Sequence, residues 1–162
     1  MILNYFKPAL FFIPLALLQL AVVPLISINN IAPNLILVML IFFTLMYGQI
    51  FGMINGFILG FILDLISGGL IGAFMLSFTI ATFIAGYFYN ENKLDINTAS
   101  YFFVVILFIC GTINSFLYSS ISNANSDVGF ILLIIEDGIL PGIYTALFGI
   151  PIVIFNPKKG IE

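Results

Sequence analysis

The sequence contains no arginine, histidine or tryptophan, and only one cysteine among its 162 residues. Without histidine it lacks the commonest metal ligand and the side chain that most often transfers protons near neutral pH. Cys110 stands alone, so it cannot form a disulfide within the chain, and its apolar neighbours indicate an inert packed thiol. No nucleophile–base pair, phosphate-binding loop or metal cluster is recognisable in the sequence. We therefore expect neither an enzyme nor a bound cofactor.

Charge of either sign is also scarce. Only 7% of the residues are charged, whereas a soluble domain carries about a quarter, and 62% are hydrophobic. A chain with so few charges cannot cover a water-facing surface and needs lipid around it, which predicts an all-α integral membrane protein. The net charge of −3 offers no basic patch, so we expect no nucleic-acid partner.

The apolar runs predict six transmembrane helices in a single polytopic domain, residues 1–162. A span needs about 20 apolar residues, so the run Leu35–Ile66 is too long for one helix. We place a break at Tyr47-Gly48-Gln49, where polar atoms meet a glycine. A second break at Glu136-Asp137-Gly138 separates the last span from an interfacial or re-entrant piece, Val128–Ile135. The predicted spans are 8–28, 34–46, 48–66, 70–89, 100–121 and 139–155.

The lysines favour this number of spans. Cytoplasmic flanks of membrane helices are enriched in lysine and arginine. Six spans put both termini and the loop after the fourth span on one side, and so place every lysine in the cytoplasm. A single helix across Leu35–Ile66 would separate the loop lysine from the N-terminal one. The residues concerned are Lys7, Lys93, Lys158 and Lys159.

Glycine recurs at every fourth position of the third predicted span. Residues four apart lie nearly above one another on a helix, so these glycines form a ridge without side chains. Such a surface lets two membrane helices approach closely. The ridge could pack inside the subunit, pack against another chain such as a second copy, or line a substrate path, and the sequence leaves these alternatives open. The ridge comprises Gly48, Gly52, Gly56 and Gly60, with Asp64 and Gly68 at the same step.

Asp64 is the only acid embedded in a clearly apolar helix. A charge at the bilayer centre costs at least about 2.5–3.5 kcal/mol, so such a residue is a candidate for function. One interpretation is that Asp64 locks the turn Ser67-Gly68-Gly69 by accepting its backbone amides. The other interpretations are contact with a partner protein and the handling of protons or ions.

The remaining polar groups in the apolar runs are few. Glu136 and Asp137 could suggest a cation site, but adjacent residues point about 100° apart, and we expect them to favour the N-terminal end of the last span. We expect the uncharged polar residues within spans to form hydrogen bonds between helices. These are Gln19, Asn55 and Asn114.

The middle of the chain, about Pro33 to Tyr89, resembles the family of the rod shape-determining protein MreD. The resemblance lies in Pro33-Asn34-Leu35 at the entry to the second helix, the glycine-stepped third helix, Asp64 before a short glycine turn, and Gly72 opening the next helix. The usual family pattern has Asp after the proline, where this chain has Asn34. The residues that we assign to helix packing or a partner interface are Gly48, Gly52, Gly56, Gly60, Asp64, Gly68, Gly69 and Gly72, with Pro33 and Asn34 as family-motif positions.

The resemblance implies a non-enzymatic scaffold of the bacterial cell-elongation machinery in the inner membrane. Such a protein would bind the single-pass protein MreC and, through it, MreB and the cell-wall synthases that build lateral peptidoglycan. The family also looks similar in fold to the substrate-binding subunits of energy-coupling-factor transporters. That similarity supplies the alternative, a vitamin-binding subunit of a membrane transporter, which would require a pocket with convergent polar groups.

Overall fold

The computed structural model describes residues 2–21, 23–27, 31–91, 98, 100–122 and 134–155, without the side chains of 2–10, 20 and 155. Within these residues the fold is helical. The helices are α1 (Ile2–Ala21), α2 (Val23–Ile26), α3 (Leu35–Tyr47), α4 (Gln49–Ser67), α5 (Ala73–Gly86), α6 (Tyr101–Ser122), a π-helix (Ile135–Ile139), α7 (Leu140–Leu147) and α8 (Ile150–Phe155).

In the part of the chain that the structure describes, three helical stretches are long and apolar enough to cross a membrane: Gln49–Ser67, Tyr101–Ser122 and Ile135–Ile154. Two shorter apolar helices, Leu35–Tyr47 and Ala73–Gly86, accompany them. The molecule is therefore a helical membrane protein. The number six remains a prediction, because length and composition alone identify only these spans among the described residues.

Helix α3 is the centre of the bundle. Its residues from Ile36 to Ile41 are all buried, so it is covered on every side, as expected of a helix that is apolar all round. With 13 residues it is about 20 Å long, short of a hydrocarbon core about 30 Å thick. Protein therefore surrounds this short helix.

Gly48 alone joins α3 to α4. Its φ of 99° is open to glycine and strained for other residues, and its amide donates to Thr44 O at 2.8 Å. The predicted break at Tyr47-Gly48-Gln49 thus coincides with a one-residue turn. A glycine is favoured there because the chain passes from one helix to the next through a single residue with positive φ.

The predicted break at Glu136-Asp137-Gly138 is wrong as a helix boundary. These residues lie in the π-helix, which continues directly into α7, with the Leu140 amide donating to Ile135 O. The polar triplet suggested a break because its carboxylates cannot face lipid. They face a cavity instead, so the helix continues. The segment 128–133 of the proposed re-entrant piece lies outside the described residues.

Candidate functional site

The central glycines of the ridge pack inside the subunit. Gly52, Gly56 and Gly60 are all buried. A Cβ added at Gly60 would lie 2.6 Å from Met75 Cα, and one at Gly56 would lie 3.1 Å from Phe78 O, both on α5. Gly52 meets the Thr44 side chain on α3. These three positions are covered by the protein's own helices, so packing within the subunit is the alternative that the geometry favours for them.

The other glycines form turns and do not extend the ridge. Gly68 ends α4 in the left-handed region with φ 65°, and Gly72 precedes α5 with φ 106°. A Cβ added at either residue meets nothing within 4 Å. Gly69 lies exposed between them. Gly68 keeps the four-residue spacing in the sequence but does not belong to the ridge, because α4 ends at Ser67.

Asp64 is 1% exposed and binds the start of the next helix. Its Oδ2 accepts the amides of Gly72 at 2.9 Å and Met75 at 3.1 Å, and its Oδ1 accepts the amide of Phe74 at 2.9 Å. The first amides of a helix have no partner within it, and Gly72 has no side chain to cap α5. The carboxylate of one helix thus caps the next, at the end where the helix dipole favours negative charge.

The amides that Asp64 accepts differ from those expected. The sequence suggested Ser67-Gly68-Gly69 as donors, but Ser67 ends a helix, where amides already donate back along the chain. Amides without a partner inside their own helix occur at the start of α5, eight to eleven residues after Asp64. The geometry favours the fold-locking interpretation of Asp64 over partner contact or ion handling.

The family-motif residues Pro33 and Asn34 lie at the start of α3. Asn34 Oδ1 accepts the Leu37 amide at 3.0 Å as an N-cap, and the Asn34 amide donates to Thr145 Oγ1 of α7 at 3.0 Å. Gln19 bridges α1 to this point, donating to Pro33 O at 3.0 Å and accepting the Leu35 amide at 2.9 Å. Asn and Asp cap helices about equally well, so Asn34 fills this structural role without a charge.

We call the contact of Asp64 with the amides of Gly72, Phe74 and Met75 the Asp64 junction. A cavity of about 680 Å³ opens beside it, at Phe74, and extends to the start of the short helix α3. Its wall takes Gln19 from α1, Phe74 from α5, polar residues from the end of α6, and the acids of the π-helix. Asp137 accepts a hydrogen bond from Ser119 of α6 at 2.7 Å. The lining residues are Gln19, Ile31, Ala32, Pro33, Asn34, Phe74, Asn114, Ser115, Tyr118, Ser119, Ser122, Glu136, Asp137, Leu140 and Pro141.

The three polar residues that were expected to form hydrogen bonds between helices differ in their hydrogen-bond partners. Gln19 joins α1 to the start of α3, as described above. Asn55 donates to Phe51 O of its own helix at 2.9 Å, so that bond does not join two helices. Asn114 is 2% exposed, and its Oδ1 has no hydrogen-bond partner among the described residues. The sequence does not distinguish these three residues, because it does not show which face of a helix meets another helix and which meets a cavity.

A second close helix contact, between α6 and α7, is not indicated by the sequence. A Cβ added at Gly142 of α7 would lie 2.8 Å from the Thr112 amide nitrogen of α6, and one at Gly111 would lie 3.3 Å from Gly142 Cα. The two glycines stand alone in their helices, without the regular spacing that marked α4. Only the crossing of α6 and α7 brings them together.

The described residues contain no group of three or more His, Cys, Asp and Glu side chains that could hold a metal ion. All four lysines lie outside the side chains that the structure describes. Among the described residues, the chemistry-bearing groups therefore gather at one end of the bundle, in the Asp64 junction and the cavity beside it.

No curated protein and no solved structure is significantly similar to this chain, so the expected likeness to energy-coupling-factor subunits stays a prediction. A family model described as rod shape-determining protein MreD matches residues 1–156 of the 162. The match covers the Asp64 junction, the glycine-packed helices and the cavity. The chain belongs to the MreD family of rod shape-determining membrane proteins.

Proposed function

We propose that the protein is a non-enzymatic scaffold of the cell-elongation machinery in the bacterial cytoplasmic membrane. In this role it binds an MreC-like single-pass protein and so connects MreB with the cell-wall synthases that build lateral peptidoglycan. Membership of the MreD family supports this proposal. The observation that carries it is the Asp64 junction, where a buried carboxylate fixes two helices rigidly and no reactive constellation accompanies it among the described residues.

The proposed topology has six spans and both termini in the cytoplasm. It follows from gathering the four lysines on one side. In this orientation the Asp64 junction and the cavity lie toward the outer face, because α4 ends and α5 begins there. Reporter fusions after Asn92 and Asn125, both outside the described residues, should report inside and outside respectively. The reverse pattern, or both on one side, would contradict the topology.

The turn between α4 and α5 is the proposed docking surface for the single-pass partner. Four large apolar side chains surround it, each more than half exposed: Leu65, Ile66, Leu70 and Ile71. Asp64 fixes this turn by accepting a hydrogen bond from the Gly72 amide. A fixed apolar surface beside water suits the outer end of a partner's membrane helix, since little ordering entropy is lost on binding.

Co-purification of an MreC-like partner tests this surface. We expect Ile71→Ser and Leu70→Ser to reduce recovery of the partner, because both remove apolar contact area at the turn. Leu147→Ser, at a similarly exposed position on α7, serves as the matched control and should retain the partner. Equal recovery with all three variants would place the partner elsewhere.

The cavity supports a second candidate function, a small-molecule binding subunit. Its volume of about 680 Å³ lies within the range of about 300–1,000 Å³ common for ligand pockets. Titration of the purified protein with riboflavin and biotin separates the two candidates. Saturable vitamin binding together with loss of partner recovery would favour the transporter subunit, and partner recovery without vitamin binding would favour the scaffold.

A further inference from the structure

Hydrogen-bond donors at the helix starts beside the cavity are already engaged. At the start of α3, the amides of Asn34, Leu35 and Leu37 donate to Thr145, Gln19 and Asn34 respectively. At the start of α5, three amides donate to Asp64. A helix start often binds an anion through such amides. Here the protein's own acceptors occupy them, so these ends do not favour an anion.

Several residues that line the cavity carry hydrogen-bond acceptors. Asn114 Oδ1 is buried and without a partner among the described residues. An acceptor of this kind costs free energy unless something donates to it. Glu136, exposed, and Asp137, partly buried, add two carboxylates to the same wall. None of the described lining residues is basic. Among its described residues, the wall therefore presents acceptors and negative charge and no basic side chain.

Aromatic rings complete the wall. Phe74 of α5 and Tyr118 of α6 stack with ring centroids 4.2 Å apart, and both line the cavity. Aromatic faces attract organic cations. The position of Phe74 is fixed, because its amide donates to Asp64. Rings, carboxylates and an amide oxygen on one wall match a group that is positively charged and carries N–H donors.

We propose that this cavity binds an organic cation with N–H donors, an ammonium or guanidinium group. In the bound state the group donates to Asn114 Oδ1, pairs with the carboxylates of Asp137 and Glu136, and lies near the Phe74–Tyr118 pair. A bare metal ion suits the cavity less well, because its volume of about 680 Å³ far exceeds that of an ion. This ligand class goes beyond the scaffold role and does not depend on it.

Titration of the purified protein in lipid nanodiscs tests the ligand class. The probes are n-butylammonium and n-butylguanidinium, with 1-butanol as the neutral control and tetramethylammonium as a cation without N–H donors. We expect the two donor cations to raise the melting temperature saturably and the two controls not to do so. Equal shifts from n-butylammonium and either control would overturn the proposal.

Variants locate the binding. Asn114→Leu removes the unpartnered acceptor, and Asp137→Asn removes a charge while keeping an acceptor for Ser119. We expect each to weaken n-butylammonium binding at least tenfold, and Asn114→Leu to raise the melting temperature without ligand. Asn55→Leu, a buried Asn→Leu change away from the cavity, should leave binding unchanged. Undiminished binding in folded Asp137→Asn would overturn the proposal, and so would undiminished binding in folded Asn114→Leu.

The cation can be free or part of a protein chain, and a competition experiment distinguishes the sources. The competitor is a capped tripeptide with a central lysine, added to protein saturated with n-butylammonium. Displacement indicates a lysine side chain presented by a partner. Failure to displace, with n-butylammonium still bound, indicates a free small amine. A protein that binds neither probe contradicts the proposal.

Discussion

Two pairs of helices, α4 with α5 and α6 with α7, are packed closely through glycine. The two pairs differ in the polar residue that lies at the end of the contact. In the first pair, Gly56 and Gly60 bring the backbones together, and Asp64 closes the end by accepting three amides. In the second pair, Gly111 lies against Gly142, but the end opens into the cavity and Asn114 Oδ1 has no partner among the described residues. Close packing sets the distance between two helices, and the polar residue at their end decides whether they form a closed junction or an open site.

Replacement of Asp64 should have the largest effect, because it opens the closed pair. Asp64→Leu leaves three partly buried amides without their acceptor, and each bond to a charged group contributes about 1.5–3 kcal/mol. We expect a loss of at least about 4 kcal/mol in the free energy of unfolding. Asp64→Asn keeps one acceptor oxygen and should lose about half as much. Thermal unfolding in detergent measures both.

Glu136→Gln is the matched control for charge removal at an exposed acid, and it should leave stability nearly unchanged. If Asp64→Leu were as stable as the parent protein, the junction would not depend on the carboxylate. If Asp64→Asn stayed folded but lost the partner as completely as Asp64→Leu, the charge itself would make the contact.

A large side chain on the buried ridge should be the next most damaging change. Gly56→Leu or Gly52→Leu forces side-chain atoms against α5 or α3, and overpacking of this kind costs about 1–3 kcal/mol or more. Ile58→Leu, a volume-conserving change on the exposed face of α4, is the control and should cost less than about 1 kcal/mol. The measurement is the melting temperature in detergent, and equal values for all three variants would show that the ridge packs against nothing.

A smaller change tests whether the second pair is packed as tightly as the first. Gly142→Ala places a methyl group against the backbone of Thr112, which cannot rotate away, so we expect a loss of about 1–3 kcal/mol. Gly68→Ala meets no neighbour, and only its left-handed φ opposes it, at about 1–2 kcal/mol. Differential scanning fluorimetry compares the two. A greater loss at Gly68 than at Gly142 would indicate that α6 and α7 pack loosely.

Loss of one hydroxyl at the open end should have the smallest effect. Ser119→Ala removes the bond to Asp137 at 2.7 Å, at a cost of about 1 kcal/mol. The residue lies at the cavity wall, where water can replace the hydroxyl. Ser77→Ala, which removes a hydroxyl bonded to Phe74 O within α5, is the control in the closed pair. An effect of Ser119→Ala as large as that of Asp64→Leu would contradict the distinction between the two ends.

Features that depend on neighbours in sequence could be predicted from the sequence. The turn at Gly48 follows from an apolar run too long for one span, and the predicted spans 34–46 and 48–66 lie within one residue of α3 and α4. Asp64 was noticeable because a charge is costly among apolar residues. Membership of the MreD family, expected from the central motifs, is confirmed by the family match.

Features that depend on distant helices could not be predicted. The unpartnered oxygen of Asn114 and the contact between Gly111 and Gly142 arise only where α6 meets α7. The continuous helix through Glu136 was missed because the sequence does not show that a cavity stands beside these carboxylates. A polar residue in an apolar run indicates that it has a hydrogen-bond partner, but only the packing shows whether that partner is another helix, water or a ligand.

The short length of α3 makes cation binding in the cavity sensitive to the membrane potential. Because α3 is about 10 Å shorter than the hydrocarbon core, a cavity floor at the start of α3 lies at most about a third of the way into the membrane in the proposed orientation. A full crossing is worth about 2.3 kcal/mol per charge per 100 mV, so a cation that reaches the floor from outside gains at most about 0.8 kcal/mol per 100 mV of inside-negative potential. Occupancy of the cavity would then rise when the membrane is energised and fall when its voltage collapses.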